Sequence, residues 1–298
     1  MRVFVTGATG FIGSVLVKDL ITAGHKVLGL TRSDTGAKAL AAAGAEVRHG
    51  SLEDVDGLRK AADESEGVIH LAFNHDFSKF QENCENDFRV IEAMGSVLIG
   101  SERPFVVTSG TGIANSLPGQ PAKENNPTIS HIPRAMSEKA AEDLAKKGVR
   151  ISIVRLPQVH DPLKQGLITY AVQVAREKGR SAYIGDGSNR WPAAHVSDAA
   201  VLYRLALEKN AKRAVYHAVG EEGVSMREIA EVLGEGLKLP AVSITEEEAP
   251  AHFGWLAMFA GRDMPASSTW TRKELGWNPT GPSMLSDLKK LEFATVLA

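Results

Sequence analysis

Residues 6–13 read TGATGFIG, directly after the apolar run RVFVT (2–6) and directly before SVLVKDLITAG (14–24). A strand that ends in a glycine-rich turn and opens a helix offers backbone N–H groups and the positive end of the helix dipole to an anion. Gly7 suits the tight turn, Gly10 lets a diphosphate approach the backbone, and Gly13 lets the helix pack closely on the sheet. Three glycines alone are weak evidence. Placed after a strand and before a helix, they point to dinucleotide binding rather than to a merely structural turn.

The pattern continues outward. Short β-rich runs stand at 2–6, 26–30, 45–49, 67–72, 104–109 and 150–156, separated by amphipathic stretches near 11–23, 34–43, 54–64, 78–99 and 131–147. Continuous Val/Ile/Leu runs are strands buried on both faces. Strand–helix alternation then predicts an α/β fold, a doubly wound parallel Rossmann sheet. After Leu156 the rhythm changes. Helices are expected near 162–178 and 197–208 and a strand at 214–219. Ser225 with Glu228 forms a capping-box pattern for a helix over 225–238. The predicted division is 1–156 for the dinucleotide-binding domain, with 197–219 returning to it. Residues 157–196 and 220–298 then form a smaller C-terminal substrate-binding lobe.

A chain of 298 residues can bury a large core. Its net charge of −2 argues against a broad basic surface for nucleic acid or anionic lipid. Cys84 is the only cysteine, so no internal disulfide forms. No apolar run approaches the ~20 residues of a membrane span. The chain starts on a strand-like MRVFVTG rather than a charged leader, and the expected location is cytoplasmic.

The loop resembles that of the short-chain dehydrogenase/reductase superfamily, above all its extended, epimerase/dehydratase-like and atypical branches. The resemblance implies cofactor contacts from Gly7, Thr9, Gly10, Phe11 and Ile12. Ser51 and Leu52 in GSLED (50–54) match its adenine-side segment, and Leu71, Ala72 and Phe73 its turn beneath the ribose. Thr108 and Ser109 close strand five, and Pro157 and Val159 in RLPQVHDP (155–162) match the nicotinamide segment. After the second strand, Arg32 and Ser33 stand where an NAD site offers an acid. A guanidinium suits a 2′-phosphate, so NADP(H) is the expected cofactor. Asp34 keeps NAD compatible, and a solvated surface role for Arg32 is the alternative.

Enzymes of this superfamily use a Tyr, a Lys four residues on, and a Ser or Thr hydroxyl for acid–base catalysis. None of the four tyrosines here has that lysine. In HIPRAMSEKAAEDLAKK (131–147) the pair falls on Arg134 and Glu138. Arg stays protonated and is no acid, but it can donate hydrogen bonds to an oxyanion. Glu138 is expected to hold it through an i,i+4 pair, and an exposed surface ion pair is the bland alternative. Gly110 occupies the usual hydroxyl position, which leaves Thr111 as the expected substrate-facing hydroxyl, or else a turn hydroxyl satisfying backbone. His131, His160 and above all His195 are candidate proton donors, although each histidine alone is more often a packing or surface residue. Trp191, Trp255 and Trp270 suit an apolar pocket, with core packing the simpler reading. The histidine spacing and single cysteine give no metal site.

These readings converge on an NADP(H)-dependent oxidoreductase moving hydride to or from a small carbonyl or enone with non-standard catalytic residues. The missing Tyr/Lys pair also fits a non-catalytic NADP(H)-binding sensor. The extended branch suggests a nucleotide-sugar epimerase or dehydratase. The expected partner is a small-molecule substrate, with neither nucleic acid nor membrane, and the sequence leaves open whether helices 78–99 and 131–147 form a homodimer interface, as they do in many extended-branch members.

Overall fold

The computed structural model describes residues 1–293. Residues 294–298, the end of the expected lobe, lie outside the described residues.

Seven parallel strands form the main sheet: β1 (Arg2–Thr6), β2 (Lys26–Thr31), β3 (Glu46–His49), β4 (Gly67–His70), β5 (Pro104–Gly110), β6 (Arg150–Leu156) and β10 (Arg213–His217). Their spatial order is β10-β6-β5-β4-β1-β2-β3. The order reverses between β1 and β4, and such a switch point leaves a crevice at the carboxyl ends of the strands. The runs are apolar because both faces are covered. On one face α1 (Phe11–Thr22) and α7 (Val196–Lys209) share a core with Val3, Val5, Val106 and Val154. On the other, α3 (Val55–Asp63), α4 (Phe80–Ser96) and α5 (Ala135–Lys146) bury Leu58, Ile91, Met94 and Leu144 against Phe4 and Phe105. Gly95 allows the α4–α5 approach, since a Cβ there would lie 2.3 Å from Leu144 Cδ1. The remaining helix of this half, α2 (Asp34–Ala42), is capped by the Ser33 side chain, which accepts from Gly36 N–H.

Beyond β6 the chain makes a second packed region with its own core of Ile168, Val172, Trp191, Ile229 and Phe253. It holds a three-stranded sheet of β7 (Gln158–His160), β9 (Arg190–His195) and β11 (Glu221–Ser225), and a pair of β8 (Ser181–Ile184) with β12 (Ala241–Ile244). Its helices include α6 (Ile168–Lys178), α8 (Met226–Leu237), α9 (Ala249–Phe253), α10 (Ala257–Ala260) and α12 (Met284–Leu288), whereas α11 (Thr269–Leu275) packs against α7 and β10 and adds Leu275 to the main sheet's first core. The Ser225/Glu228 capping box is formed at the start of α8. Residues 196–217 run back to the main sheet, where β10 pairs parallel with β6. Among the described residues no helix is long and apolar enough to cross a membrane.

Candidate active site

The glycine loop lies at the switch point. Gly7 has φ of +69°, and a Cβ there would meet Ala72 N at 2.8 Å. A Cβ on Gly13 would stand 2.0 Å from Gly7 O, so only glycine lets α1 start against the turn. Gly10, the N-cap of α1, brings no side-chain cap to the helix end. The first-turn amides of Phe11, Ile12 and Gly13 are therefore open to an anion. The cradle fits a dinucleotide diphosphate. Thr9 is exposed beside it, while Leu71, Ala72 and Phe73 follow β4 on its other wall.

On the adenosine side, Arg32 is exposed, and no described residue forms a hydrogen bond or ion pair with it. Ser33 commits its oxygen to the α2 cap but keeps its proton to donate. Ser51 accepts from Glu53 N–H, and Leu52 packs on the sheet's second core. Glu53 is held below the usual carboxylate range, chiefly by hydrogen bonding to Ser51, and last by the Arg32 charge. Pro157 precedes β7, and Val159 is buried with Phe11 and Ile12 against α7.

The expected Arg134–Glu138 pair does not form. Each side chain has a separate buried partner from another element. Arg134 stands at the N-terminal end of α5 and sends Nη1 to Asp87 Oδ2 on α4 at 2.7 Å and to the Ser137 hydroxyl. Its Nη2 donates to Thr108 O at 3.0 Å. Its guanidinium carbon lies 4.3 Å from the Phe73 ring centroid, in cation–π geometry. Three of five N–H groups are spent, which leaves Nε–H and one Nη2–H for another acceptor.

Asp87 is 2% exposed and joins Arg134 to His70, whose Nε2 lies 2.9 Å from Oδ1. His70 Nδ1 in turn lies 2.7 Å from Thr6 Oγ1, which accepts from Ala72 N–H at the glycine loop. Burial pushes the Asp87 pKa upward. The Arg134 charge, followed by the His70 and Ser137 bonds, overrides that and sets it well below the carboxylate range.

Glu138 makes a bidentate pair with Arg155 of β6, at 2.7 and 2.8 Å, with both residues almost fully buried. Thr128 donates to the same carboxylate. Arg155 also contacts the backbone of Asn126 and the His217 ring. Against its burial, this pairing lowers the Glu138 pKa. Glu138 is thus a buried counter-ion, not a clamp on Arg134.

Thr111 takes the turn role: its hydroxyl donates to Leu156 O at 3.3 Å, and the residue is 5% exposed. Thr108 Oγ1 donates to His70 O and touches the Tyr203 hydroxyl, and Ser109 is buried at the end of β5. Tyr203 is fully buried and its pKa is driven upward by desolvation. His195 caps α7 through Nδ1 and stands in a separate cluster with His160 and Asp287. No hydrogen bond, ion pair or ring contact joins it to Arg134 among the described residues. His160 is fully buried and His131 exposed, so neither stands with Arg134. Trp191 is core, but Trp255 and Trp270 are 38% and 43% exposed.

Residues 3–219 match the model of the NAD dependent epimerase/dehydratase family. The chain belongs to that family. Similar full-length members are the uncharacterized protein C2A9.02 of Schizosaccharomyces pombe, 47% identical over 97% of this chain and 98% of that protein, and the uncharacterized protein YLL056C of Saccharomyces cerevisiae, 44% identical over 97% and 98%. A UDP-glucose 4-epimerase of Streptomyces lividans is 27% identical over 94% and 92%. A 2-alkyl-3-oxoalkanoate reductase of Stenotrophomonas maltophilia is 28% identical over 81% and 77%. The crystal structure of a Thermotoga maritima UDP-glucose 4-epimerase with UDP-glucose superposes with a TM-score of 0.75 at 20% identity, over 97% of each chain. Pal from Bacillus thuringiensis gives 0.80 at 18% identity over all of both chains. These likenesses agree with the doubly wound α/β fold. Within this epimerase/dehydratase-family member, Asp87 and Arg155 are the functional-region residues that sequence reading missed. A charged residue inside the apolar run RISIVRL was the available signal for Arg155, since a buried charge demands a partner.

Proposed function

We propose that this family member is a cytoplasmic, NADP(H)-dependent oxidoreductase acting on a small carbonyl or enone. The observation that carries this reading is the guanidinium of Arg134, anchored by Asp87 at the carboxyl end of β5 with two N–H groups unspent. Bound NADPH supplies the hydride for reduction of a carbonyl carbon. Arg134 hydrogen-bonds the oxygen as negative charge develops there, and its fixed charge stabilises that oxyanion without reorganising. Asp87, Ser137 and Thr108 O hold the guanidinium in place. Water delivers the proton, because Arg134 cannot and Tyr203 is sealed in the core. Arg32 and the Ser33 hydroxyl receive the 2′-phosphate of NADP.

The test is NADPH oxidation against a panel of ketones, aldehydes and enones, with cofactor binding measured separately by calorimetry. Arg134→Ala is expected to bind NADPH normally and lose turnover. Full turnover in that variant refutes the assignment.

A second reading, a nucleotide-sugar epimerase or dehydratase, is favoured by the names of several relatives and by Arg262. Burial lowers the Arg262 pKa, and its Nη2 donates to Gly112 O without a carboxylate partner among the described residues. Such a cation suits a diphosphate. NAD retained through purification, with interconversion of UDP-sugars, would establish this reading instead.

A further inference from the structure

Between β4 and α4 the chain reads FNHDFSKF (73–80), and the aromatic side chains do not turn into either sheet core. They form a line of ring contacts that starts under Arg134. Phe73, beneath the guanidinium, meets His75 edge-on at 5.5 Å, and His75 meets Phe77 at 6.1 Å. Phe77 then stacks on Trp255 of the second region, 4.3 Å away and only 11° from parallel. Tyr170 of α6 and Phe259 of α10 brace that stack edge-on. The line crosses from the main sheet's switch-point edge to the second region.

Its outer end is open. Trp255 is 38% exposed and Met258 beside it in sequence is 52% exposed, in a region whose own core takes Phe253 and Leu256 instead. Trp255 keeps 38% of its surface in solvent at the end of a line that begins on the candidate oxyanion donor, while Tyr170 and Phe259 tie it to the second region's core. His75 is exposed, and desolvation first, then the Arg134 cation, lower its pKa. The wall presents aromatic rings, with the Arg134 cation at its inner end.

We propose that the Phe77–Trp255 stack is the specificity wall of this site. Its substrate class is flat, uncharged conjugated carbonyls, with the oxygen on Arg134 and the aryl or enone body along the rings. This rests on the oxidoreductase reading for its chemistry. It does not rest on it for binding.

The test therefore uses the NADP⁺ complex of the full chain, which cannot reduce a carbonyl, and reads binding by calorimetry. The probes are trans-cinnamaldehyde, propanal and UDP-glucose. Cinnamaldehyde is expected to bind about tenfold or more tighter than propanal, from ring stacking beyond mere area. That ratio is expected to fall to about threefold or less in Trp255→Ala and to survive in Trp255→Phe, which keeps a π-face. The half-exposed position makes both variants compatible with folding, and a melting curve checks this. Equal ratios in wild type and Trp255→Ala overturn the proposal. So does UDP-glucose binding more tightly than cinnamaldehyde. Selective cinnamaldehyde binding without NADPH turnover overturns the oxidoreductase reading alone and leaves the wall standing.

Discussion

Replacing Asp87 with alanine removes the acceptor of three buried donors at once. Arg134 Nη1, the Ser137 hydroxyl and the His70 ring all converge on its carboxylate. Breaking one side of a buried ion pair costs about 3–5 kcal/mol, because the other charge stays desolvated. The Arg134 side chain is 14% exposed and can swing partly to water, so the lower end, about 3 kcal/mol, is expected. At roughly 2 °C per kcal/mol for a chain this large, the melting temperature falls by about 6 °C. Arg134→Met alone is expected to cost about 2 kcal/mol, since the stranded carboxylate keeps His70 and Ser137. The double variant leaves neither charge uncompensated. A double-mutant cycle by urea denaturation should therefore give a coupling energy of about 2 kcal/mol, with the double variant close to the worse single one. The pH profile follows in sign. Asp87 has a depressed folded pKa, so its stabilisation is complete above the unfolded carboxylate range and is lost as pH falls below it. Asp87→Ala should accordingly flatten the acid limb. Singles that each cost under about 0.5 kcal/mol and add without coupling would refute the buried-pair account.

Three further outcomes follow from the same structure. Arg32→Glu places a carboxylate where the 2′-phosphate is expected and should weaken NADPH relative to NADH by about tenfold or more, read as the ratio of their Kd values. Glu138→Lys restores the superfamily's usual residue type but sets it against Arg155, so soluble yield and melting temperature should fall sharply rather than activity rise. His217 is fully buried against Ser267 O and Arg155, and burial followed by the Arg155 charge depresses its pKa. The unfolded chain then binds the extra proton, so this contribution is complete above about pH 6.5 and lost as pH falls below it. His217→Gln should weaken that dependence in melting curves taken from pH 7 to 5.

The parallel sheet was legible because each strand announces itself locally. RVFVT, PFVVTS and RISIVRL are apolar on both faces, and Gly7, Gly10 and Gly13 mark where the first one turns into a helix. The short strands β7, β8, β9, β11 and β12 were not, since runs of three to six residues with mixed polarity carry little period. The charge pattern failed for a related reason. Spacing along α5 brings Arg134 and Glu138 onto one side, and an isolated helix would pair them. In the fold that side faces α4 and β6 rather than solvent, and each of those elements offers a better partner: Asp87, 47 residues before Arg134, and Arg155, 17 after Glu138.

That rearrangement bears on how a Tyr/Lys site can be replaced. A lysine at 138 would place a second cation beside Arg155, whereas a glutamate neutralises it. An arginine at 134 needs a carboxylate within reach, and Asp87 supplies one from α4. Each substitution is compensated by a partner outside its helix, so the two positions are energetically independent of each other. Substitutions at 138 should therefore cost stability through Arg155, and those at 134 both stability through Asp87 and activity.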